Sequence, residues 1–119
     1  MPTKVLLIIK SPLYGSLRAA EGFRIATAMI AIDILPQLLF IDDGIYCLTK
    51  NQSPEAAGLE SHHERLKTLA DLIGLYALKH SMMERKLKFA DLNEDFQVKT
   101  ITLEEAAELI IENETVITF

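Results

Sequence analysis

Asp42 and Asp43 stand side by side directly after an apolar run, Leu38-Leu39-Phe40-Ile41, and are followed by Gly44 and then by Cys47, the chain's only cysteine. Three chemistries fit paired carboxylates at the end of such a run. They could hold Mg²⁺, as in phospho-acceptor domains, or orient a nucleophile. The third is the cheapest: Asp43 caps the next helix and Asp42 closes the turn. A phospho-acceptor domain spreads its carboxylates over two strand ends, but the first strand here leaves through Lys10-Ser11, so that chemistry fits poorly. Cys47 is the single candidate for thiol catalysis. It lies a turn inside a helix capped at Asp43, where the helix dipole activates weakly and two carboxylates nearby raise a thiol pKa. Those surroundings favour a small buried apolar group over a nucleophile.

Further polar groups collect at two other points. The loop Ser11-Pro12-Leu13-Tyr14-Gly15-Ser16 follows an apolar strand and precedes a helix, so Ser11, Tyr14, Gly15 and Ser16 are candidates to hold a small anion or nucleotide on backbone N–H groups. One glycine is neither a Walker loop nor a dinucleotide fingerprint, and an ordinary turn capped by Ser16 is the simpler expectation. His80-Ser81 sits at the exit of a third apolar run with no carboxylate adjacent to complete a triad. His62-His63-Glu64 are consecutive on a helix, point apart, and read as a solvated face. Met82-Met83 read as core filler or an interface patch. No metal spacing and no cofactor motif is present, so neither a metal nor a cofactor is expected.

These groups need a scaffold, and hydrophobic patterning supplies one. Residues 5–9 (Val-Leu-Leu-Ile-Ile) are uninterrupted and apolar, which predicts a strand buried on both faces rather than a leader sequence. Residues 17–34 carry Ala19, Ala20, Phe23, Ala26, Thr27 and Ile30 at helical spacing, with Pro36 as the stop. A second strand follows at 37–41, then a short helix at 44–49 and a polar loop at 50–58. Residues 62–73 predict a helix with Leu66, Leu69, Ala70 and Ile73 inward, ended by Gly74. A third strand is expected at 75–78, a helical turn or two at 82–87, a loop at 88–95 and a fourth strand at 97–101. Thr102 and Glu105 have capping-box spacing before a helix whose apolar face is Ala106, Leu109 and Ile110. A fifth strand at 115–119 closes the chain. Alternating strands and helices predict one domain over 1–119, a three-layer α/β/α sandwich with a five-stranded, mainly parallel sheet.

Composition narrows the function classes. Half of the 119 residues are apolar, enough for a core. The net charge of −5 and a pI near 5.1 argue against a nucleic-acid or acidic-membrane partner. No apolar run has transmembrane length, and one cysteine makes no internal disulfide, so a cytoplasmic setting is expected.

A resemblance sharpens these expectations. Val5-Leu6-Leu7-Ile8-Ile9-Lys10-Ser11-Pro12-Leu13-Tyr14-Gly15-Ser16, Ala19-Ala20-Glu21-Gly22, Leu39-Phe40-Ile41-Asp42-Asp43-Gly44-Ile45-Tyr46, Leu72-Ile73-Gly74-Leu75-Tyr76 and Val116-Ile117-Thr118-Phe119 make the whole chain similar to the DsrE/DsrF-like family, in its DsrF and TusC branch of sulfur-relay subunits. The resemblance implies a five-stranded α/β/α domain that assembles into homo-oligomers or into hetero-oligomers with other DsrE-like subunits. It also implies cytoplasmic handling of sulfane sulfur. In the family's catalytic branch a cysteine after the third strand carries a persulfide. Here that stretch is Lys79-His80-Ser81-Met82, and Cys47 lies elsewhere. The expected role is therefore an accessory, non-catalytic subunit of a sulfurtransferase complex. The alternatives are a sulfur carrier using Cys47 and a small-anion or nucleotide-binding module using the loop 11–16.

Overall fold

A computed structural model of the protein describes residues 3–12, 17–50 and 63–119. Strand β1 is Val5–Ile9, with all five side chains buried. Helix α1, Arg18–Ala31, buries Ala19, Gly22, Phe23 and Ala26. Strand β2 is Gln37–Phe40, followed directly by a 3-10 helix, Asp42–Leu48. Helix α2 (His63–Leu72), strand β3 (Leu75–Leu78) and helix α3 (Lys79–Glu84) come next. Two 3-10 turns, Phe89–Asp91 and Glu94–Phe96, lead to strand β4 (Lys99–Ile101), helix α4 (Leu103–Glu112) and strand β5 (Thr115–Thr118).

The five strands form one sheet in the order β4-β3-β2-β1-β5, and every pairing is parallel. The predicted α/β class and layered parallel sheet are therefore found. The pleat sends alternate residues to opposite faces. Val5, Leu7, Ile9, Leu38, Phe40, Leu75 and Ala77 meet α1, α2, α3 and the 3-10 helix 42–48 in the larger core. Phe23 of α1 packs on Phe40 with ring centroids 6.1 Å apart. Leu6, Ile8, Leu39, Leu78 and Ile101 face the other way and, among the described residues, meet Ala106 and Leu109 of α4, with Ile41 and Tyr76 packed beside them. The second layer is thus far thinner than the first.

Several boundaries differ from the pattern reading, each for a local reason. Helix α1 ends three residues before 34, because Asp33 adopts a left-handed conformation (φ 64°) and Ile34 N–H returns to the Met29 carbonyl, a Schellman-type stop. Its N-cap position is Leu17, with no side-chain cap. The Ser16 expected there lies outside the described residues. Strand β4 starts at Lys99 rather than 97, since Gln97 is left-handed (φ 49°) at the end of a 3-10 turn. Helix α3 begins at Lys79, directly on the strand exit, rather than at 82. Met82 is core, whereas Met83 is exposed. Ile110, assigned inward by its spacing, is exposed as well.

The capping box stands as predicted. Thr102 Oγ1 accepts from Glu105 N–H at 3.2 Å, and Glu105 Oε1 accepts from Thr102 N–H at 3.1 Å. These bonds hold the Glu105 carboxyl below its usual range. Replacing Thr102 by Ala should lower stability by about 1 kcal/mol in urea denaturation with no change in the m-value. An unchanged midpoint would mean that the box contributes nothing.

Candidate functional site

The carboxyl ends of parallel strands are where α/β proteins place their sites. Here the tips of β1, β2 and β3 carry Ser11, Asp42-Asp43 and the first residues of α3. The sheet brings these together, but it joins them to one another. Asp42 takes a left-handed conformation (φ 49°), which turns the chain straight from β2 into the 3-10 helix. Its backbone N–H donates to Ser81 Oγ at 3.0 Å. Ser81 is fully buried, and its hydroxyl is occupied in holding this turn. Asp43 is not the helix cap expected of it. The N-cap is Ile41 and makes no side-chain bond, so Asp43 falls inside the helix. Its Oδ1 instead accepts from Arg85 Nε at 3.2 Å and Nη2 at 3.1 Å.

Arg85 is the member that pattern reading missed. Its side chain is only 19% exposed, and its Nη1 also donates to the Ser81 carbonyl at 3.2 Å. One side chain therefore ties the end of α3 to the turn after β2. Spacing held a signal, because Arg85 follows Ser81 by four residues and shares its helix face.

Gly44 determines how closely this helix can lie. A Cβ built there would sit 2.0 Å from the Ile9 carbonyl oxygen, inside any contact distance. The same carbonyl accepts the Ile41 N–H at 3.0 Å. Only a residue without a side chain lets the 3-10 helix rest on the end of β1. The consequence is burial of Ile45, Cys47 and Leu48.

Cys47 is 1% exposed, and its Sγ donates to the Ser11 carbonyl at 3.6 Å. Burial pushes its thiol pKa from an ordinary 9.0 up to about 12. A thiol held protonated and sealed from solvent is a poor nucleophile and a poor metal ligand. The burial is that expected of a small apolar group in the packing.

The other candidates do not join the cluster. His80 faces out, its Nε2 3.6 Å from Glu84 Oε1 one turn on. Tyr14, Gly15 and Ser16 lie outside the described residues, as does His62. His63 is less solvated than its pattern implied. It stacks on Phe96 at 5.2 Å and faces Asp95 at 3.2 Å, tying α2 to the second 3-10 turn. Among the described residues no three of His, Cys, Asp and Glu converge as a metal site. No described helix is long and apolar enough to cross a membrane. A cavity of about 420 Å³ lies at the opposite end of the sheet, lined by Lys4, Asp33, Gln37 and Asn113 among others.

Known proteins give this arrangement a context. The family model described as DsrE/DsrF-like matches residues 3–119. The intracellular sulfur oxidation protein DsrF of Allochromatium vinosum is 29% identical, over 92% of this chain and 90% of that protein. The ychN protein from E. coli superposes with a TM-score of 0.77 at 21% identity, over the full length of both chains. MTH1491 from Methanobacterium thermoautotrophicum, of unknown function, gives 0.77 at 11% identity over 98% of this chain and 99% of its own. At those identities the two structures speak for the fold alone.

Two outcomes follow from the geometry. Gly44→Ala should cost about 3 kcal/mol in chemical denaturation, because the added methyl meets backbone that cannot rotate away. A cost below about 1 kcal/mol would show that the helix lifts freely off β1. The second concerns pH. The buried thiol stays protonated in the folded chain while the unfolded thiol ionises above about 9. Unfolding then releases a proton, and stability falls as pH rises from 9 towards 12, by at most about 1.4 kcal/mol per unit. Cys47→Ala should remove this part of the alkaline slope, measured as urea midpoints between pH 8 and 11. An unaltered slope would mean the thiol already ionises in the folded state.

Proposed function

We propose that this chain, which belongs to the DsrE/DsrF-like family, is an accessory subunit, without chemistry of its own, of a cytoplasmic complex that passes sulfane sulfur between proteins. The name of its relative from Allochromatium vinosum, an intracellular sulfur oxidation protein, supports the sulfur context. The observation that carries the accessory role is the state of Cys47, the chain's one thiol, which is buried and protonated. A sulfur carrier needs an accessible thiolate that can attack a donor and hand sulfur on. The exit of β3 offers no replacement, since Ser81 is buried with its hydroxyl occupied.

An accessory subunit contributes surface. It can shape a partner's sulfur site or hold partners in place. This chain would work as a member of a homo-oligomer or a hetero-oligomer with other DsrE-like subunits, with no bound cofactor or metal, and apart from nucleic acid and membrane.

The test is co-purification with a cysteine-bearing DsrE-like subunit, native mass measurement, and persulfide tagging after exposure to a sulfane-sulfur donor. The expected result is a stable complex in which the persulfide sits on the partner. Cys47 should stay unlabelled, and Cys47→Ser should leave transfer unchanged. Stoichiometric persulfide on Cys47 of the folded chain would replace this reading with the carrier. A strict monomer that joins no DsrE-like subunit would remove it. Stabilisation of the protein by phosphate compounds in a thermal-shift screen, lost on Ser16→Ala, would favour the anion-binding loop instead.

A further inference from the structure

The cavity of about 420 Å³ at the amino ends of the strands has the size of a small-molecule site, roughly 300–1,000 Å³. Three parts of the chain wall it. Lys4 and Val5 come from the start of β1, Asp33 and Leu35 from the connection between α1 and β2, and Glu112 from the end of α4. Local structure puts each of them there. Asp33 is left-handed (φ 64°) just past α1, and the chain beyond it leaves Leu35 61% exposed. Past α4, the N–H groups of Glu114 and Thr115 both donate to the Lys4 carbonyl, at 3.0 and 3.2 Å, and so fix Lys4 at the rim.

Two amides complete the lining, those of Gln37 and Asn113. Asn113 Nδ2 donates to Gln37 Oε1 at 3.2 Å and to the Leu109 carbonyl at 2.7 Å, and Gln37 Nε2 donates to the Tyr76 hydroxyl at 3.3 Å. These bonds set which way the Asn113 amide points and leave its Oδ1 as an acceptor with no donor among the described residues. The two helices break a rule at this same place. Helix C-termini carry partial negative charge and favour cations. Neither α1 nor α4 has a basic residue in its last turn, Glu112 is the last residue of α4, and Asp33 follows α1 by two. Neither carboxylate pairs with Lys4 or with any other described cation. Departures from local preference that nothing in the fold offsets are expected at functional positions.

The lining decides the occupant. A simple amine leaves Lys4 unmatched, and a simple acid leaves Asp33 and Glu112 unmatched. A small molecule with both charges close together and a short apolar branch answers every wall. We infer that the cavity binds a free α-amino acid with an apolar side chain. Its ammonium meets Asp33, Glu112 and Asn113 Oδ1, its carboxylate meets Lys4, and its side chain lies on Val5 and Leu35. This site is independent of the subunit reading above and stands or falls without it.

Three matched probes test it: leucine, leucinamide, which lacks the carboxylate, and N-acetylleucine, which lacks the ammonium. Each is titrated into the full chain to tens of millimolar and followed by amide shifts in the ¹H–¹⁵N spectrum. Leucine should shift amides of residues 3–5, 33–37 and 112–115 to saturation and bind at least fivefold tighter than either derivative. Lys4→Gln should lower leucine to the affinity of leucinamide and leave leucinamide unchanged. Asp33→Asn should lower leucine and leucinamide alike and leave N-acetylleucine unchanged. Both side chains are exposed, and asparagine tolerates the left-handed backbone, so a folded spectrum is expected of each. If Asp33→Asn loses that spectrum, Glu112→Gln takes its place with the same expected losses. No saturable shift, shifts confined to other residues, or leucine binding that neither charge change weakens would each overturn the inference. Leucinamide binding as tightly as leucine would also overturn it, because the site would then take an amine or a peptide amino terminus. N-acetylleucine binding as tightly as leucine would overturn it in favour of a carboxylate site.

Discussion

The contact between Gly44 and the Ile9 carbonyl governs the end of the sheet where a site would be expected. It lets a 3-10 helix lie flat on the tip of β1, and that one approach determines what its neighbours can do. Ile45, Cys47 and Leu48 go into the core. Asp42 must turn left-handed to start the helix, and its freed N–H needs the Ser81 hydroxyl. Asp43 is left at the rim, where Arg85 meets it. The strand tips that could have carried a reactive group are occupied in holding one another. A buried donor or acceptor left without its partner costs more than the net gain of an ordinary hydrogen bond, so the cluster resists loosening at any one point.

Function in this family is then a matter of what is grafted on a shared frame. ychN and MTH1491 share this fold at 21% and 11% identity. Such a frame survives wide substitution because it asks mainly for apolar strands of the right length, tight turns between them and helices with an apolar side. This chain meets those demands and places its thiol in the packing. Among the described residues, α4 alone packs on one face of the sheet, and α1, α2, α3 and the 3-10 helix 42–48 pack on the other.

Much of the frame was legible because it rests on local patterns. The unbroken runs at Val5, Leu38 and Leu75 told of strands buried on both faces, and Thr102 with Glu105 announced the start of α4. The site was less legible, since its interactions join residues far apart in sequence. Asp43 next to a glycine looks like a cap, and only the left-handed turn at Asp42 shows that the helix starts too early for that role. Arg85 is meaningful once β2 and β3 are neighbours. Ile110 has the spacing of a core residue, because periodicity reports that a residue is apolar on a helix and not whether anything lies above it. Cys47 was the exception. Its apolar neighbours pointed to a buried side chain, and the packing of the 3-10 helix on β1 buries it.

The most direct measurement is the alkylation rate of Cys47 in the folded protein as a function of urea. A sealed thiol reacts only from the unfolded chain, so the rate should rise with denaturant along the same slope as global unfolding and yield the same free energy. Alkylation in native buffer at close to the rate of a free thiol, insensitive to urea below the transition, would show that the strand tip opens and that this cysteine is available for chemistry.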